Sequence, residues 1–341
     1  MLADTIRVAL FCVSNQTANL IKLGVDVAGG DFAPQNPIQG CLQALKDRPD
    51  IHITLFGPSA MIQSVDHARI TPVEAPDIIA MTDSPVTAFR KKKHSAIHYG
   101  LNALKAGEIQ GFISAGNTGA IGTTATLTIG RIPAIERPAI ATVFPGNKGP
   151  VIVLDVGSTV DCKPLHLNQF AIMGHYFATC LGVSAPRIGL LNIGEEDEKG
   201  NQVAQETFRL LRDNTQIQFI GNIEGRDVLS GHADVIICDG FVGNIMLKFG
   251  EGVVTTLFQF FKQEIKGLRY RLGAALMAPV FKNLKKKYQY DTYGSAPLLG
   301  IQAPVFIAHG SSSARALGNG IISLAQAVET GMTDSIRAAL D

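Results

Sequence analysis

The sequence predicts an α/β fold, a three-layer α/β/α sandwich in which helices cover both faces of a parallel-rich sheet. Two observations predict it. Five apolar runs, Phe112–Ser114, Val151–Leu154, Ile188–Leu191, Val235–Cys238 and Val305–Ala308, each stop at a loop of Gly, Asn, Ser, Asp or His. Runs this apolar suit strands buried on both faces of a parallel sheet. Between them lie segments of helical length and pattern. Alternation of this kind gives right-handed crossovers and a layered unit.

Taken in order, a first strand at Lys22–Val27 leads into Ala28-Gly29-Gly30-Asp31, and Pro34 and Pro37 precede a helix through Cys41–Lys46. Ile51–Gly57 is the next strand. Ser95–Ala106 reads as a helix, with Lys105 and Gly107 suited to its end. The strand Gly111–Ser114 is followed by a small apolar helix, Gly119–Thr128. Ile140–Pro145 and Val151–Asp155 flank Gly146-Asn147-Lys148-Gly149 as a hairpin. Leu165–Leu181 reads as an amphipathic helix, Ile188–Leu191 as a strand, Val203–Arg212 as a helix and Gln218–Ile220 as a short strand. Val235–Cys238 and Val305–Ala308 complete the sheet, and Gly318–Glu329 is the last helix.

Composition narrows the function. The 341 residues are 46% hydrophobic with 35 Gly, enough for a large core, and the formal net charge of +1 gives no global pull towards nucleic acid. Five Cys, with no CxxC spacing, argue against a disulfide framework or a zinc site and fit a reducing cytoplasm. No apolar stretch reaches the roughly 18–20 residues that span a bilayer. Val8–Val13 is a poor secretory signal and reads as an extra strand or a loose arm. Neither GxxxxGK[ST] nor GxGxxG with a following ribose acid occurs, so a nucleotide is not the expected ligand. No metal-ligand spacing is found, and no metal or other cofactor is expected.

In open α/β sheets ligands sit beyond the carboxyl ends of the strands. The polar and small residues that end the runs are therefore expected to converge on one crevice. From the first strands these are Asp26, Gly29 and Gly30, then Gly116, Asn117, Thr118 and Gly119. Later strands add Asp155, Gly194, Asp239, Gly243, Ser311 and Ser312. Small residues let backbone N–H groups approach closely, and such nests and helix N-termini favour anions, phosphate above all. Lys199 stands among four acids and reads either as a phosphate contact or as part of a solvated, ion-paired loop. Asn244 reads as an oxyanion donor or a cap, and His309 as a ligand or general acid or as a structural hydrogen-bonded residue. No GxSxG elbow supports a serine hydrolase. Arg90-Lys91-Lys92-Lys93 reads as a solvated basic run able to steer an acidic protein or phosphate.

One stretch breaks the alternation. From Val253 to Tyr288 the helical face carries Leu257, Phe258, Phe261, Ile265, Leu268 and Leu272, and eight Lys or Arg, Lys285 and Lys286 among them, stand against the single acid Glu264. A basic amphipathic segment is the pattern of a membrane-surface helix. The competing reading is a helix packed on the domain or in a dimer.

The residues also resemble a known family. Asp26–Asp31, Ser114–Ala120, Leu154–Gly157, Val160–Pro164, Asn192–Glu196, Lys199-Gly200, Gly221–Asp227, Cys238–Asn244, Tyr293-Gly294, Ala296–Gly300 and His309–Ser312 look like the PlsX family of bacterial acyl-(acyl-carrier-protein):phosphate acyltransferases. The match runs from about Lys22 to the C-terminus. It leaves 1–21 as an extension and 22–341 as a single α/β/α catalytic domain with a basic amphipathic excursion at 253–288. Val27 and Ala28 depart from the family's usual Ala-Met, and Ser158-Thr159 from its Ala-Asn. The resemblance implies a fold similar to phosphotransacetylase and the isocitrate and isopropylmalate dehydrogenases. It implies that a fatty acyl group passes from acyl-carrier protein to inorganic phosphate, giving acyl phosphate for a membrane-bound glycerol-3-phosphate acyltransferase in phospholipid synthesis. A homodimer with no cofactor, cytoplasmic and peripheral to the inner face of the cell membrane, is implied as well. Lys199, Asn244 and His309 are then the expected catalytic residues, and Leu257, Phe258, Phe261, Leu268, Lys285 and Lys286 the expected membrane contacts. The alternatives are a phosphotransacetylase-like enzyme using acyl-CoA, and a non-catalytic anchor for lipid or carrier protein.

Overall fold

The computed structural model describes residues 20–288 and 294–340. The expected strand or arm at Val8–Val13, and the rest of 1–19, lie outside the described residues, as does Tyr293.

Among the described residues twelve strands form two sheets rather than the single sheet that the alternation suggested. The first holds β1 (Ile21–Asp26), β2 (Ile51–Gly57), β3 (Ile70–Glu74), β4 (Gly111–Ser114), β5 (Ala139–Ile140), β11 (Ala296–Leu299) and β12 (Val305–Ile307). Their order is β3-β2-β1-β4-β12-β11-β5. The second holds β6 (Thr142–Gly146), β7 (Gly149–Leu154), β8 (Arg187–Asn192), β9 (Gln218–Glu224) and β10 (Val235–Ile237), in the order β6-β7-β10-β8-β9. The run from β3 to β12 is parallel throughout, and so is the run from β7 to β9. The expected hairpin is present, with β6 antiparallel to β7. Periodicity marks strands but not which sheet a strand joins. Here the chain changes sheet within one residue, leaving the edge of the first at Ile140 and entering the edge of the second at Thr142.

Alternate side chains of each buried strand point to opposite faces, and both faces are dry. Leu23, Val25, Ile152, Leu154, Val235 and Ile237 pack in one layer. Phe112, Val151, Val153, Ile236 and Val305 pack in the other. On the first face lie α1 (Gln35–Asp47), the short α2 (Ser59–Ile62), α6 (Pro164–Cys180), α7 (Gln202–Asp213) and α10 (Ala314–Glu329), with α11 (Met332–Leu340) beyond them. The opposite face is covered by α3 (Pro85–Lys91), α4 (Ala96–Lys105), α5 (Thr118–Thr128) and the start of α8 (Gly240–Glu264). This is the expected α/β/α layering. The helix expected to be amphipathic, α6, instead buries 10 of its 17 residues, because α7 and α11 pack over the side that faces away from the sheet.

The last half of α8 and α9 (Leu268–Tyr288) form an outlying helical pair joined by a contact between the rings of Phe261 and Phe281, 5.8 Å apart. Leu257, Phe261 and Leu268 are exposed there and Phe258 is half-buried. Lys285 and Lys286 belong to α9, but their side chains lie outside the described residues. Among the described residues no helix is long and apolar enough to cross a membrane.

Candidate functional site

In the first sheet β1, β4 and β12 are neighbours, and the loops that follow them are stitched together. Asp26 ends β1 in a buried position, and its Oδ2 accepts the hydroxyl of Ser114 at 2.7 Å while its Oδ1 accepts the N–H of Ala28 at 2.8 Å. Burial raises the Asp26 carboxyl above the ordinary range, and the Ser114 bond offsets part of that rise. Ser114 Oγ in turn accepts the N–H of Gly116 at 3.0 Å. At Gly29 a Cβ would stand 2.6 Å from the nitrogen of Gly116, so the two backbones meet where only glycine fits. Gly30 takes a positive φ of 96°, and the next N–H, of Asp31, donates to the carbonyl of Gly310 at 2.8 Å.

Asn117 caps α5, accepting the N–H of Ala120 at 3.0 Å. Its Nδ2 donates to the carbonyls of Met81 and Asp83, both at 3.0 Å. The amide of Asn117 thus holds the 80–83 loop against the site, while Thr118 and Gly119 are exposed on the first turn. A recess of about 10 Å³, the size of one water, lies beside these loops and is lined in part by Asp26, Gly29, Asp77, Ser95 and Gly116.

After β12, His309 is exposed, with Nδ1 2.8 Å from Ser311 Oγ and 3.2 Å from the Ser311 nitrogen. Ser312 is buried, its carbonyl accepts from Asn36 at 3.0 Å, and its Oγ has no hydrogen-bond partner among the described residues.

In the second sheet β7, β10 and β8 are neighbours. Asp155 follows β7 and is fully buried. Its carboxylate accepts N–H groups from Ile140, Gly157, Ser158 and Thr159, and burial still pushes its pKa up to about 6. Asp239 follows β10 and caps α8, accepting from Val242 at 2.7 Å. Gly243 lies so close to Asp155 that a Cβ there would collide with its carbonyl oxygen. After β8, Gly194 and Lys199 share a loop in which a Cβ on Gly194 would meet the Lys199 stem. The Lys199 ammonium is 4.0 Å from Glu196 and about half exposed.

α8 joins the two sets of loops. The Asn244 side chain lies 3.7 Å from the position of a Cβ on Gly157, after β7. One turn further, Lys248 Nζ lies 3.4 Å from His309 Nε2, after β12. Lys248 was missed by sequence reasoning. The signal was its spacing, since Gly240, Asn244 and Lys248 recur every four residues on one helical face. Among the described residues no group of three or more His, Cys, Asp or Glu is placed to hold a metal ion.

The sequence profile of the family described as fatty acid synthesis protein matches residues 21–335. The chain belongs to this family. A phosphate acyltransferase of Clostridium novyi is 41% identical over 329 residues, covering 94% of this chain and 99% of that one. Another, of Dictyoglomus thermophilum, is 44% identical over 310 residues, covering 88% and 92%. Family membership makes the chain an acyltransferase. Among solved structures, a phosphotransacetylase from Staphylococcus aureus superposes with a TM-score of 0.60 at 15% identity, covering 92% of this chain and 94% of that one. That likeness is one of fold.

Proposed function

We propose that this enzyme transfers a fatty acyl group from acyl-carrier protein to inorganic phosphate, releasing acyl phosphate for phospholipid synthesis. The observation that carries the reading is the junction at α8, where Asn244 and Lys248 meet the strand-end loops of both sheets. Phosphate is itself the nucleophile, so no serine or cysteine nucleophile is needed. Attack of hydrogen phosphate on the thioester breaks the C–S bond, forms the C–O bond and moves the phosphate proton to the departing thiol. The site must then hold an anion, stabilise a tetrahedral oxyanion and carry one proton. The exposed first turn of α5 and Lys199 suit the anion, the Asn244 amide suits the oxyanion, and His309 suits the proton transfer.

The preference for a long acyl chain rests on the outlying pair α8–α9, whose side chains include Leu276 at 84% and Leu268 at 75% exposure. Exposed apolar surface of this extent marks a contact with another protein or a bilayer. With its flanking cations it suits a peripheral position on an anionic cytoplasmic membrane surface and delivery of acyl phosphate to a membrane-bound glycerol-3-phosphate acyltransferase. Association of two copies would use part of the same surface, which includes Phe241, Ile245 and Phe249 nearer the site. Acyl phosphate formation from palmitoyl-carrier protein and phosphate, trapped with hydroxylamine, tests the activity. Faster turnover of acetyl-CoA would favour the phosphotransacetylase-like alternative.

A further inference from the structure

The basic run Arg90–Lys93 lies at the end of α3 and just after it, and the reaction above makes no use of it. Between Asp77 and Ser95 four cations stand against two acids. Lys92 is the structural member of the run. Its ammonium donates to the carbonyl of Ile78 and to Asp83, each at 2.6 Å, and so clasps the 78–83 strap that Asn117 also holds. The other three cations are exposed. Lys93 Nζ lies 3.8 Å from the centre of the Phe89 ring, a contact that steadies its stem. Among the described residues Arg90 and Lys91 have no ion-pair partner. Val86, exposed and four residues before Arg90, shares its helical face, so an apolar side chain stands beside the cations.

This surface is joined to the crevice at two points. Pro85, the first residue of α3, packs on the first turn of α5, where a Cβ on Gly119 would stand 2.6 Å from Pro85 Cγ. Met81, exposed on the strap, brings its Cε to 3.2 Å from the position of a Cβ on Gly310, next to His309. α3 is seven residues long, about 10 Å, which puts its last-turn cations on the rim of the crevice rather than at the reacting atoms. Cations beside an apolar side chain on a braced element suit an amphipathic helix that carries carboxylates. Opposite potentials steer the encounter, and the apolar contact holds it. A small anion gains nothing from Val86, and the larger apolar surface suited to a bilayer is that of α8 and α9.

We infer that the α3 surface, Val86 with Arg90, Lys91 and Lys93, docks an acidic helix of the acyl-carrier protein. This rests on the proposed reaction for the identity of the partner. A carrier protein presents its acyl group on a flexible arm, so it needs a seat on the rim with a path to the reacting atoms. From α3 that path runs along the strap, whose Met81 stands beside Gly310.

The test uses the full-length chain and a triple variant, Arg90→Glu, Lys91→Glu and Lys93→Glu, with its Gln counterpart. All three side chains are exposed, so both variants should fold, as circular dichroism will check. Affinity for labelled palmitoyl-carrier protein, read by fluorescence anisotropy, should fall by about tenfold or more in the Glu variant and by less in the Gln variant. KM for that substrate should rise in step. KM for phosphate, and turnover of a palmitoyl thioester that lacks the carrier protein, should stay near wild type. Rising salt should weaken wild-type binding and leave that of the Glu variant little changed. Carrier binding at the wild-type level in the Glu variant overturns the inference. So does a rise in the phosphate KM alone, or a loss of anionic-vesicle binding alone, which would make the run a phosphate or membrane contact. A wild type that binds the carrier protein and makes no acyl phosphate overturns the proposed reaction and not the docking site. A wild type that does not bind the carrier protein overturns both.

Discussion

The backbone N–H of Ile140 donates to Oδ1 of Asp155 at 2.9 Å, and this bond ties the edge of the first sheet to a strand-end loop of the second. The N–H of Val156 returns to the carbonyl of Ile140 at 3.0 Å. The carboxylate is thus a joint between the sheets as well as a lining of the site.

That joint should leave a signature in pH. Burial pushes Asp155 up to about 6 from an ordinary 3.8, so the folded state holds this proton more tightly than the unfolded chain. The resulting stabilisation is fully present below about pH 4 and is lost as pH rises through about 6. A shift of this size corresponds to the order of 3 kcal/mol. Urea denaturation of wild type and Asp155→Asn at about pH 4.5 and about pH 7.5 isolates it. The stability advantage of wild type should be larger at the acidic value, and an advantage that grows with pH contradicts the assignment.

Gly243→Ala should destabilise the protein and depress activity together. Its Cβ would fall on the Asp155 carbonyl oxygen, a backbone atom that cannot swing away. Overpacking of this kind costs about 1–3 kcal/mol or more. A urea midpoint within error of wild type would show that the first turn of α8 can shift freely.

Asn244→Ala and Lys199→Ala should each cut turnover by roughly 10²–10³ with the fold retained, the usual loss for one oxyanion donor. Both side chains are exposed, Lys199 by about half, so stability should change little. Steady-state kinetics with a circular dichroism control decides. A variant that keeps more than about a third of wild-type activity removes its residue from the catalytic group.

Replacing Phe260 and Leu276 with Glu should release the protein from anionic vesicles while sparing acyl transfer in solution. The two side chains are 58% and 84% exposed on α8 and α9. Salt should weaken wild-type binding without abolishing it, since each cation near the surface contributes about 1 kcal/mol that screens and the apolar part does not. Co-sedimentation of the double variant at the wild-type level would assign this surface to protein contacts.

Turnover should survive EDTA, because Lys199, Lys248 and backbone N–H groups can neutralise phosphate. Activity lost to the chelator and restored by Mg²⁺ would require a metal in the mechanism.

Legibility in the sequence followed burial. β4, β7, β8, β10 and β12 are covered on both faces, so their residues read as apolar runs whatever the tertiary detail. Edge and short strands lacked that signal. β3 is mostly uncovered and contains Pro72, and β11 is four residues long with Pro297 inside it. The loops of the site were visible as glycine, asparagine and aspartate clusters. Their division of labour was not. Asn117, expected to face phosphate, holds the 80–83 carbonyls, and Asp239 caps its helix, because short side chains at strand ends find backbone partners first. Lys248 escaped notice because it looks like any solvated lysine until the β12 loop is brought beside it.

α8 runs 25 residues, about 37 Å, from the crevice to the exposed helical pair. Asn244 and Lys248 sit within its first three turns, Asn244 beside the Gly157 loop of one sheet and Lys248 against the His309 loop of the other. Both distances therefore hang on the pitch and azimuth of one rod. A tilt that draws Asn244 towards Gly157 also changes the gap between Lys248 and His309, so neither separation can be adjusted alone.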